Sequence, residues 1–529
     1  MPADYRLLVT DSLAESGLEL LRSDPDVVLD YRPGLQGEAL LSAVAGSDAL
    51  ITRSGTPVTR ELLSAGNRLR IVGRAGVGLD NVDVDAATER GILVINAPTA
   101  NIISATEHTM ALMLAACRNV PEAHASVRAG EWNRSRFLGT ELSGKTLGII
   151  GLGRIGSRVA VRARAFGMKL LSFDPYIAPN VAEKVGAELV SIDRLLSESD
   201  IITVHTPLTE ETRRMIGAPE LAKTRKGVIL INCARGGVYE EEALAEGLRS
   251  GHVAAAAIDV YESEPPGKDH PLVGAPNIVL TPHIGANTIE AQDRVAVQTC
   301  EMVLEALRGS IFVSAVNLPF EGLADATAAP MITLAERLGL FAAQLVSGPI
   351  TRAGVELWGI EERLSRILSV AAIKGMLVPH LSDSVNYVNA EAIAQNRGID
   401  VSSTIHPTPL DYTNLITFRV GTESGEVCIS GTLFSEKNLR VVSVNNFRVE
   451  FNPQGYLIYM VNRDVPGVVG KVGTILGDRE INIAEYNLAR ATGGGLAMAI
   501  ITIDSPIDAA TLDFLRSFKE MQDVRLIKL

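Results

Sequence analysis

The sequence predicts an α/β protein: two doubly wound parallel sheets, then a looser α+β stretch, then a terminal ferredoxin-like βαββαβ unit. Three observations carry this reading. Strand-like and helical segments alternate over the first 320 residues, a glycine-rich turn joins one such strand to a helix, and the final stretch from about 455 to 529 follows a shorter mixed order. At 529 residues the chain has room for three or more domains of roughly 100–200 residues each.

Taken in order, Arg6 to Thr10, Ala49 to Thr52, Leu69 to Gly73 and Leu93 to Asn96 read as strands that end in turn residues. Asn101 to Asn119 has helical periodicity and suits a long crossover between two α/β units. Strands resume at Thr146 to Ile150, Leu170 to Phe173, Ile201 to Val204, Val228 to Asn232, Ala256 to Val260 and Ile278 to Leu280. Strands alternating with helices predict parallel sheets covered on both faces. Beyond Asn317-Leu318-Pro319 the alternation loosens, with helices at Ala335 to Ser347 and Leu364 to Lys374 and strands at Leu415 to Val420 and Glu426 to Ser430. The last stretch reads strand Tyr456 to Asn462, helix Pro466 to Asp478, strands Asn482 to Arg490 and Leu496 to Ile503, helix Ala509 to Lys519 and strand Val524 to Leu529.

Composition is that of a globular protein, 47% hydrophobic and 21% charged. No apolar run in the sequence approaches the roughly 20 residues of a membrane span. Met1 to Arg6 places an acid and an arginine where a signal peptide would turn apolar. The four cysteines, Cys117, Cys233, Cys300 and Cys428, lack metal or redox spacing, so no metal is expected and a reduced, cytoplasmic setting is. A net charge of −13 argues against a nucleic-acid binder, while local arginines remain free to hold a small anion.

The glycine-rich turn is Gly151-Leu152-Gly153-Arg154-Ile155-Gly156. A buried-strand pattern, Thr146 to Ile150, runs into it, and Val159, Ala160, Ala163 and Phe166 follow at helical spacing until Gly167. A second strand ends at Asp174, about 20 residues on, as the dinucleotide fingerprint requires. Gly151 permits the tight turn, Gly153 lets a pyrophosphate approach the backbone, and Gly156 lets the helix pack on the strand. The helix N-terminus offers unpaired N–H groups to the phosphates. Asp174 suits two ribose hydroxyls and repels a 2′-phosphate, so the unit is Rossmann-like and the cofactor is NAD.

Ligands in open parallel sheets lie beyond the carboxyl ends of the strands, and three segments put reactive side chains there. These carry Arg235 in Cys233-Ala234-Arg235-Gly236-Gly237, two carboxylates in Glu262-Ser263-Glu264-Pro265, and His283 in Thr281-Pro282-His283-Ile284-Gly285. The set suits oxidation of a 2-hydroxy acid: an arginine clamps the carboxylate, a histidine takes the hydroxyl proton, and a carboxylate orients the histidine. By position alone His205, also at a strand end, competes with His283, and Glu262 competes with Glu264. Gly236 and Gly237 suggest that a backbone passes close to Arg235.

The strings GLGRIG, NCARGG, DVYESEPP and TPHIGA, together with Arg74-Ala75-Gly76-Val77-Gly78-Leu79-Asp80-Asn81-Val82-Asp83, resemble the D-isomer-specific 2-hydroxyacid dehydrogenase family. The likeness spans essentially the whole chain and is most specific over residues 50 to 290. Within the family it points to the long form acting on D-3-phosphoglycerate, in which an intervening domain and an ACT domain follow the catalytic ones. It implies Arg235, Glu264 and His283 as the catalytic trio. It implies cofactor contacts at Arg154, Ile155, Asp174, Thr206, Cys233, Asp259 and Gly285, and substrate contacts at Arg53, Ser54 and Arg74. Arg134 resembles an arginine lent across a dimer interface. The resemblance also implies a discontinuous substrate domain (residues 1–99 with 290–318) around an NAD domain (100–289), then an intervening domain (319–453) and an ACT domain (454–529).

In that last unit Asn462, Asp464 and Asn482 are the implied contacts of an amino-acid effector, serine by resemblance, in a pocket formed when two copies pair. The assembly implied is a dimer or tetramer. Two other functions compete: a glyoxylate or hydroxypyruvate reductase, against which the added domains and arginines count, and an NAD-sensing regulator, against which the complete trio counts.

Overall fold

The computed structural model describes residues 5–310, 315–320, 328–381, 385–435, 437–490 and 495–529. Residues 1–4 of the N-terminal reading and 311–314 of the returning segment lie outside the described residues. The first sheet holds β1 (Tyr5–Val9), β2 (Val27–Tyr31), β3 (Ala49–Thr52), β4 (Ile71–Arg74) and β5 (Leu93–Asn96), all parallel, in the order β2-β1-β3-β4-β5. The helix Ile102–Cys117 then crosses to a second parallel sheet and packs Met110, Met113 and Ala116 against its core. That sheet holds β6 (Thr146–Ile150), β7 (Lys169–Phe173), β8 (Glu188–Leu189), β9 (Ile201–Val204), β10 (Val228–Asn232), β11 (Val253–Ile258) and β12 (Ile278–Leu280). Its order is β12-β11-β10-β9-β6-β7-β8. Strands such as β10, Val-Ile-Leu-Ile-Asn, are buried at every position because helices cover both faces.

After β12 the chain returns. The helix Ile289–Leu307 lies on the first sheet and buries Val295, Cys300, Val303 and Leu304 in the same core as Leu7, Ile51 and Ile95. Gly73 permits the fit, since a Cβ there would stand 2.7 Å from Val303 Cγ2.

The third sheet holds β13 (Ile350–Trp358), β14 (Asp400–His406), β15 (Leu415–Thr422), β16 (Gly425–Phe434), β17 (Asn438–Val444) and β18 (Phe447–Phe451), ordered β14-β13-β15-β16-β17-β18. Only the β13–β14 pair is parallel. The fourth holds β19 (Tyr456–Arg463), β20 (Ile483–Arg490), β21 (Leu496–Ile503) and β22 (Met521–Lys528), ordered β20-β21-β19-β22. This is the antiparallel sheet of a βαββαβ unit. The helices Val468–Asp478 and Ala509–Arg516 cover one face, while Leu457, Tyr459, Ile500 and Ile527 on the other enter the core of the third unit beside Phe341 and Phe451.

The fold class agrees with the sequence reading, and the differences are local. β2 is a half-exposed edge strand with weak alternation, and β14 lies at the other kind of edge with polar Ser402, Ser403 and Thr404 exposed. Neither carries a strong apolar signature, and β8, β13, β17 and β18 were likewise not anticipated. The helix Glu362–Leu381 is long and apolar enough to cross a membrane by length and composition alone, although Arg363, Arg366 and Lys374 interrupt its apolar run. Its apolar residues instead pack in the core, with Ile367, Ile373 and Met376 fully buried.

That helix crosses the helix Ala329–Leu345 at two reciprocal glycines. A Cβ at Gly375 would sit 1.9 Å from Glu336 O, and one at Gly339 1.9 Å from Ala372 O. Backbone cannot yield as a side chain would, so Gly375→Ala is expected to destabilise the chain by about 1–3 kcal/mol despite alanine's better helix propensity. Gly473, in the helix Val468–Asp478, has no neighbour within 4 Å of its Cβ position, and Gly473→Ala should stabilise by up to about 1 kcal/mol. Urea denaturation midpoints of the two variants check the opposite signs.

Candidate active site

The turn after β6 lies at the switch point of the second sheet, between β6 and β9. Gly151 has φ +89° and its Cβ position is 2.7 Å from His205 O at the end of β9, so only glycine fits. A Cβ at Gly156 would meet Gly151 O at 2.1 Å, which brings the helix Arg154–Ala165 hard against the turn. Gly153 instead faces open space, with nothing within 4 Å of its Cβ position. Ile155 packs into the sheet core, whereas Arg154 is exposed at the helix start. Asp174 closes β7, and its carboxylate accepts from Leu152 N at 2.9 Å and Tyr176 N at 3.0 Å. It therefore braces the glycine turn. Thr206 Oγ1 is buried beside this turn with no hydrogen-bond partner among the described residues. An open glycine at a helix N-terminus, a braced carboxylate and an unsatisfied hydroxyl fit a dinucleotide.

Three loops beyond β10, β11 and β12 carry Arg235, Glu264 and His283, and they meet at Tyr261. A Cβ at Gly236 would fall 1.9 Å from the Tyr261 carbonyl carbon and oxygen, so the close approach inferred at that glycine is real. Tyr261 N donates to Glu264 Oε1 at 3.1 Å, and its hydroxyl donates to Thr281 O at 3.0 Å. Glu264 Oε2 in turn meets His283 Nδ1 at 2.7 Å. That bond, opposed by burial, holds the His283 pKa above its ordinary value of 6.5. Burial pushes the Glu264 carboxyl upward, but hydrogen bonds from His283 and the Tyr261 N–H outweigh it and keep the group below the usual carboxylate range.

The geometry separates the competing residues. Glu262 points to Arg214 at 3.4 Å and Arg213 at 3.7 Å, away from His283. His205 has its Nε2 on Thr203 Oγ1 at 3.1 Å, and burial lowers its pKa to about 4. It is neutral at ordinary pH and poorly suited to exchange a proton there.

Arg235 reaches the first sheet. Its Nη2 lies 2.8 Å from the Cβ position of Gly78, and Nε lies 3.8 Å from Asp80. Arg74 folds over Gly76 in the same loop, where any Cβ would collide with its guanidinium. Asn96 Nδ2 pins that loop through Val77 O at 2.7 Å. Arg53 stands across the first sheet's switch point from Asp11, whose carboxylate accepts from Arg53 N at 2.6 Å, Thr56 N at 3.2 Å and Thr52 Oγ1 at 2.9 Å. Ser54 is exposed at the tip of this loop. Burial lowers the pKa of both Arg53 and Arg74, and Arg74 is lowered further by the charges of Arg53 and Arg235. Arg74 Nε is buried with no partner among the described residues. Three guanidinium groups thus share one region with few carboxylates, which is the electrostatics of an anion site. Arg134 stands apart on the exposed 3₁₀ turn Arg134–Phe137, beside Trp132 (80% exposed) and Leu138 (90% exposed).

Asp259, Cys233 and Gly285 form one buried cluster, and the sequence reading missed its fourth member, His108. Asp259 is fully buried and accepts from Thr281 Oγ1 at 2.5 Å, Ile284 N at 2.9 Å and Gly285 N at 2.8 Å. Cys233 Sγ donates to it at 3.7 Å, and burial drives that thiol's pKa up. His108, Cys233 and Asp259 bring their donor atoms within 4.8 Å of one another, a grouping that sequence spacing does not announce. The helix period of Ile102–Cys117, with Ser104 and His108 on one face, was the available signal.

In the fourth unit, Asn462 is buried with Oδ1 unpartnered among the described residues, and Asp464 pairs with Arg490 at 3.1 Å. Asn482 lies at the opposite end of the sheet, where it donates to Asp504 at 2.7 Å. β19 and β21 pair Asn462 with Ala497 but Tyr456 with Ile503, so about 20 Å of strand separates the two asparagines within one chain. One chain does not bring the three effector candidates together.

A family profile described as D-isomer specific 2-hydroxyacid dehydrogenase, NAD binding domain, matches residues 110–285, and one described as D-3-phosphoglycerate dehydrogenase intervening domain matches residues 327–445. The D-3-phosphoglycerate dehydrogenase of Bacillus subtilis is 41% identical over 527 residues, 99% of this chain and 100% of that protein. Its counterpart in Methanocaldococcus jannaschii is 41% identical over 531 residues, again 99% and 100%. The chain belongs to the D-3-phosphoglycerate dehydrogenase family. Among solved structures, the D-lactate dehydrogenase of Aquifex aeolicus, complexed with NAD and lactic acid, aligns with a TM-score of 0.52 at 30% identity, over 57% of this chain and 96% of that one. Family membership and the matched NAD-binding domain make NAD the cofactor of this chain.

Gly156→Ala would have to lift the helix Arg154–Ala165 off the glycine turn. NADH affinity should fall by at least about tenfold, a cost of roughly 1.4 kcal/mol, measured by fluorescence titration. Unchanged affinity would show that the turn does not hold the cofactor.

Proposed function

We propose that this protein oxidises D-3-phosphoglycerate to 3-phosphohydroxypyruvate with NAD, the entry step of serine synthesis by the phosphorylated route. The observation that carries the reading is the convergence of Arg53, Arg74 and Arg235 beside the His283–Glu264 pair. A substrate with a carboxylate and a phosphate needs more than one cation, and a hydroxyl oxidised at the adjacent carbon needs a base. NAD, when bound, accepts the hydride from the carbinol carbon. Arg235 clamps the carboxylate and orients that carbon, while Arg53, Ser54 and Arg74 hold the phosphate. With Nδ1 engaged by Glu264, His283 receives the hydroxyl proton at Nε2, and the growing imidazolium charge faces the Glu264 carboxylate. In the reverse direction the same Nε2 returns the proton.

The domain division we favour is 1–99 with 290–318 for substrate, 100–289 for NAD, 319–453 for the intervening unit and 454–529 for an ACT-type regulator. The exposed Trp132 and Leu138 around Arg134 suit a second copy, which would carry Arg134 to a neighbouring site. The separation of Asn462 and Asp464 from Asn482 likewise favours a serine site built between two copies. A cytoplasmic setting agrees with four unpaired cysteines.

Steady-state rates with D-3-phosphoglycerate, glycerate and lactate test the substrate. Arg74→Ala should raise KM for the phosphorylated acid by tenfold or more, on the order of a lost charged hydrogen bond, and change KM for glycerate little. Better turnover of glycerate or lactate by the wild type would overturn the assignment. The histidine makes a second prediction. Oxidation requires neutral His283, so its rate should rise with pH through a value above the ordinary 6.5. Glu264→Gln removes the group that raises this pKa, and the acid limb of the kcat profile should move to lower pH.

A further inference from the structure

His108 sits on the crossover helix, far in sequence from the catalytic loops, yet its ring reaches their base. Nε2 lies 3.2 Å from Asp259 Oδ1 and 3.3 Å from Thr281 Oγ1. Thr281 Oγ1 already donates its proton to that Asp259 oxygen at 2.5 Å, so towards the ring it accepts. Asp259 is an acceptor as well: burial opposes its ionisation, but the hydrogen bonds from His108, Thr281 and Ile284 together keep its carboxyl below the usual range. Both neighbours accept, so Nε2 carries a hydrogen and donates.

The same helix grips the loop a second time, four residues earlier on the same face. Ser104 Oγ donates to Gly285 O at 2.7 Å, while Gly285 N and Ile284 N donate to Asp259. Residues 281, 284 and 285 are therefore tied to one buried carboxylate, and they bracket His283. His283 itself has φ +54°, a left-handed conformation that a residue other than glycine keeps only when its surroundings impose it. A fully buried carboxylate must in turn be met by enough donors to hold its place.

We propose that His108 is a positioning residue: by donating to Asp259 and Thr281 from the crossover helix, it fixes the loop that aims His283 at the substrate hydroxyl. The proposal rests on the reading of His283 as the acid–base group. His108 does not touch the reacting atoms; it decides where His283 stands.

The test compares His108→Leu, which fills similar space without a donor, with His108→Gln, whose amide keeps one. Rates with D-3-phosphoglycerate at saturating NAD are expressed per NADH-binding site titrated by fluorescence. The leucine variant is expected to lose about tenfold or more in kcat per site, with KM and NADH affinity within about threefold, since a small misplacement of a catalytic group is costly. The glutamine variant should recover most of that loss. A leucine variant with wild-type kcat, an equal loss in both variants, or a loss that vanishes on normalisation to binding sites would overturn the proposal. Should the leucine variant fail to fold, Thr281→Val removes the same network from the loop side and must show the same kcat-specific loss. His283→Ala, measured alongside, separates the two readings. Full activity there removes the acid–base role, whereas full activity in His108→Leu removes only the positioning role.

Discussion

Three like charges that repel one another set the terms for the catalytic half of this molecule. Arg53 and Arg74 come from the first sheet and Arg235 from the second, and Asp11 and Asp80 offset their charge only in part. Such a cluster persists only if rigid elements hold it. Asp11 grips the Arg53 loop across one switch point, Asn96 and two glycines shape the Arg74 loop, and Arg235 leaves a strand buried along its whole length. The returning helix Ile289–Leu307 then packs on the first sheet after the chain has built the second. The cationic region lies between two sheets because the chain visits the first one twice.

The His283–Glu264 pair is built the other way, from attraction. Tyr261 ties together the loops of Arg235, Glu264 and His283 through one close backbone approach and two hydrogen bonds. Asp259 fixes the far side of the His283 loop from within the core. Glu264 and His283 are partly exposed, whereas Asp259, which anchors the His283 loop, is fully buried. Burial thereby divides two acids of similar intrinsic strength into different tasks.

Much of this was legible in the sequence where local chemistry and geometry coincide. The glycine turn needed only its own residues and flanking strands, and β3, β5, β6, β9, β10, β12 and β21 follow apolar runs whose ends match the structure. Legibility failed where the deciding partner is remote. Nothing near His108 shows that Thr281 lies 173 positions away, and nothing near Glu262 shows that Arg213 and Arg214 claim it. Family resemblance chose His283 over His205, and the structure supplies the physical reason, since a buried imidazole with a pKa near 4 is a poor proton carrier. The edge strands β2 and β14 went unread because half-exposed strands need little apolar pattern. The effector candidates, implied by resemblance for a pocket between two copies, sit at opposite ends of β19 and β20 within one chain.

The fourth sheet gives one face to its own helices and the other to the core around Phe341 and Phe451. In the language of unfolding, the third and fourth units are a single cooperative block rather than two beads on a string. Removing the terminal unit would strip Leu457, Tyr459, Ile500 and Ile527 from a shared interior and leave its neighbour with an apolar wound.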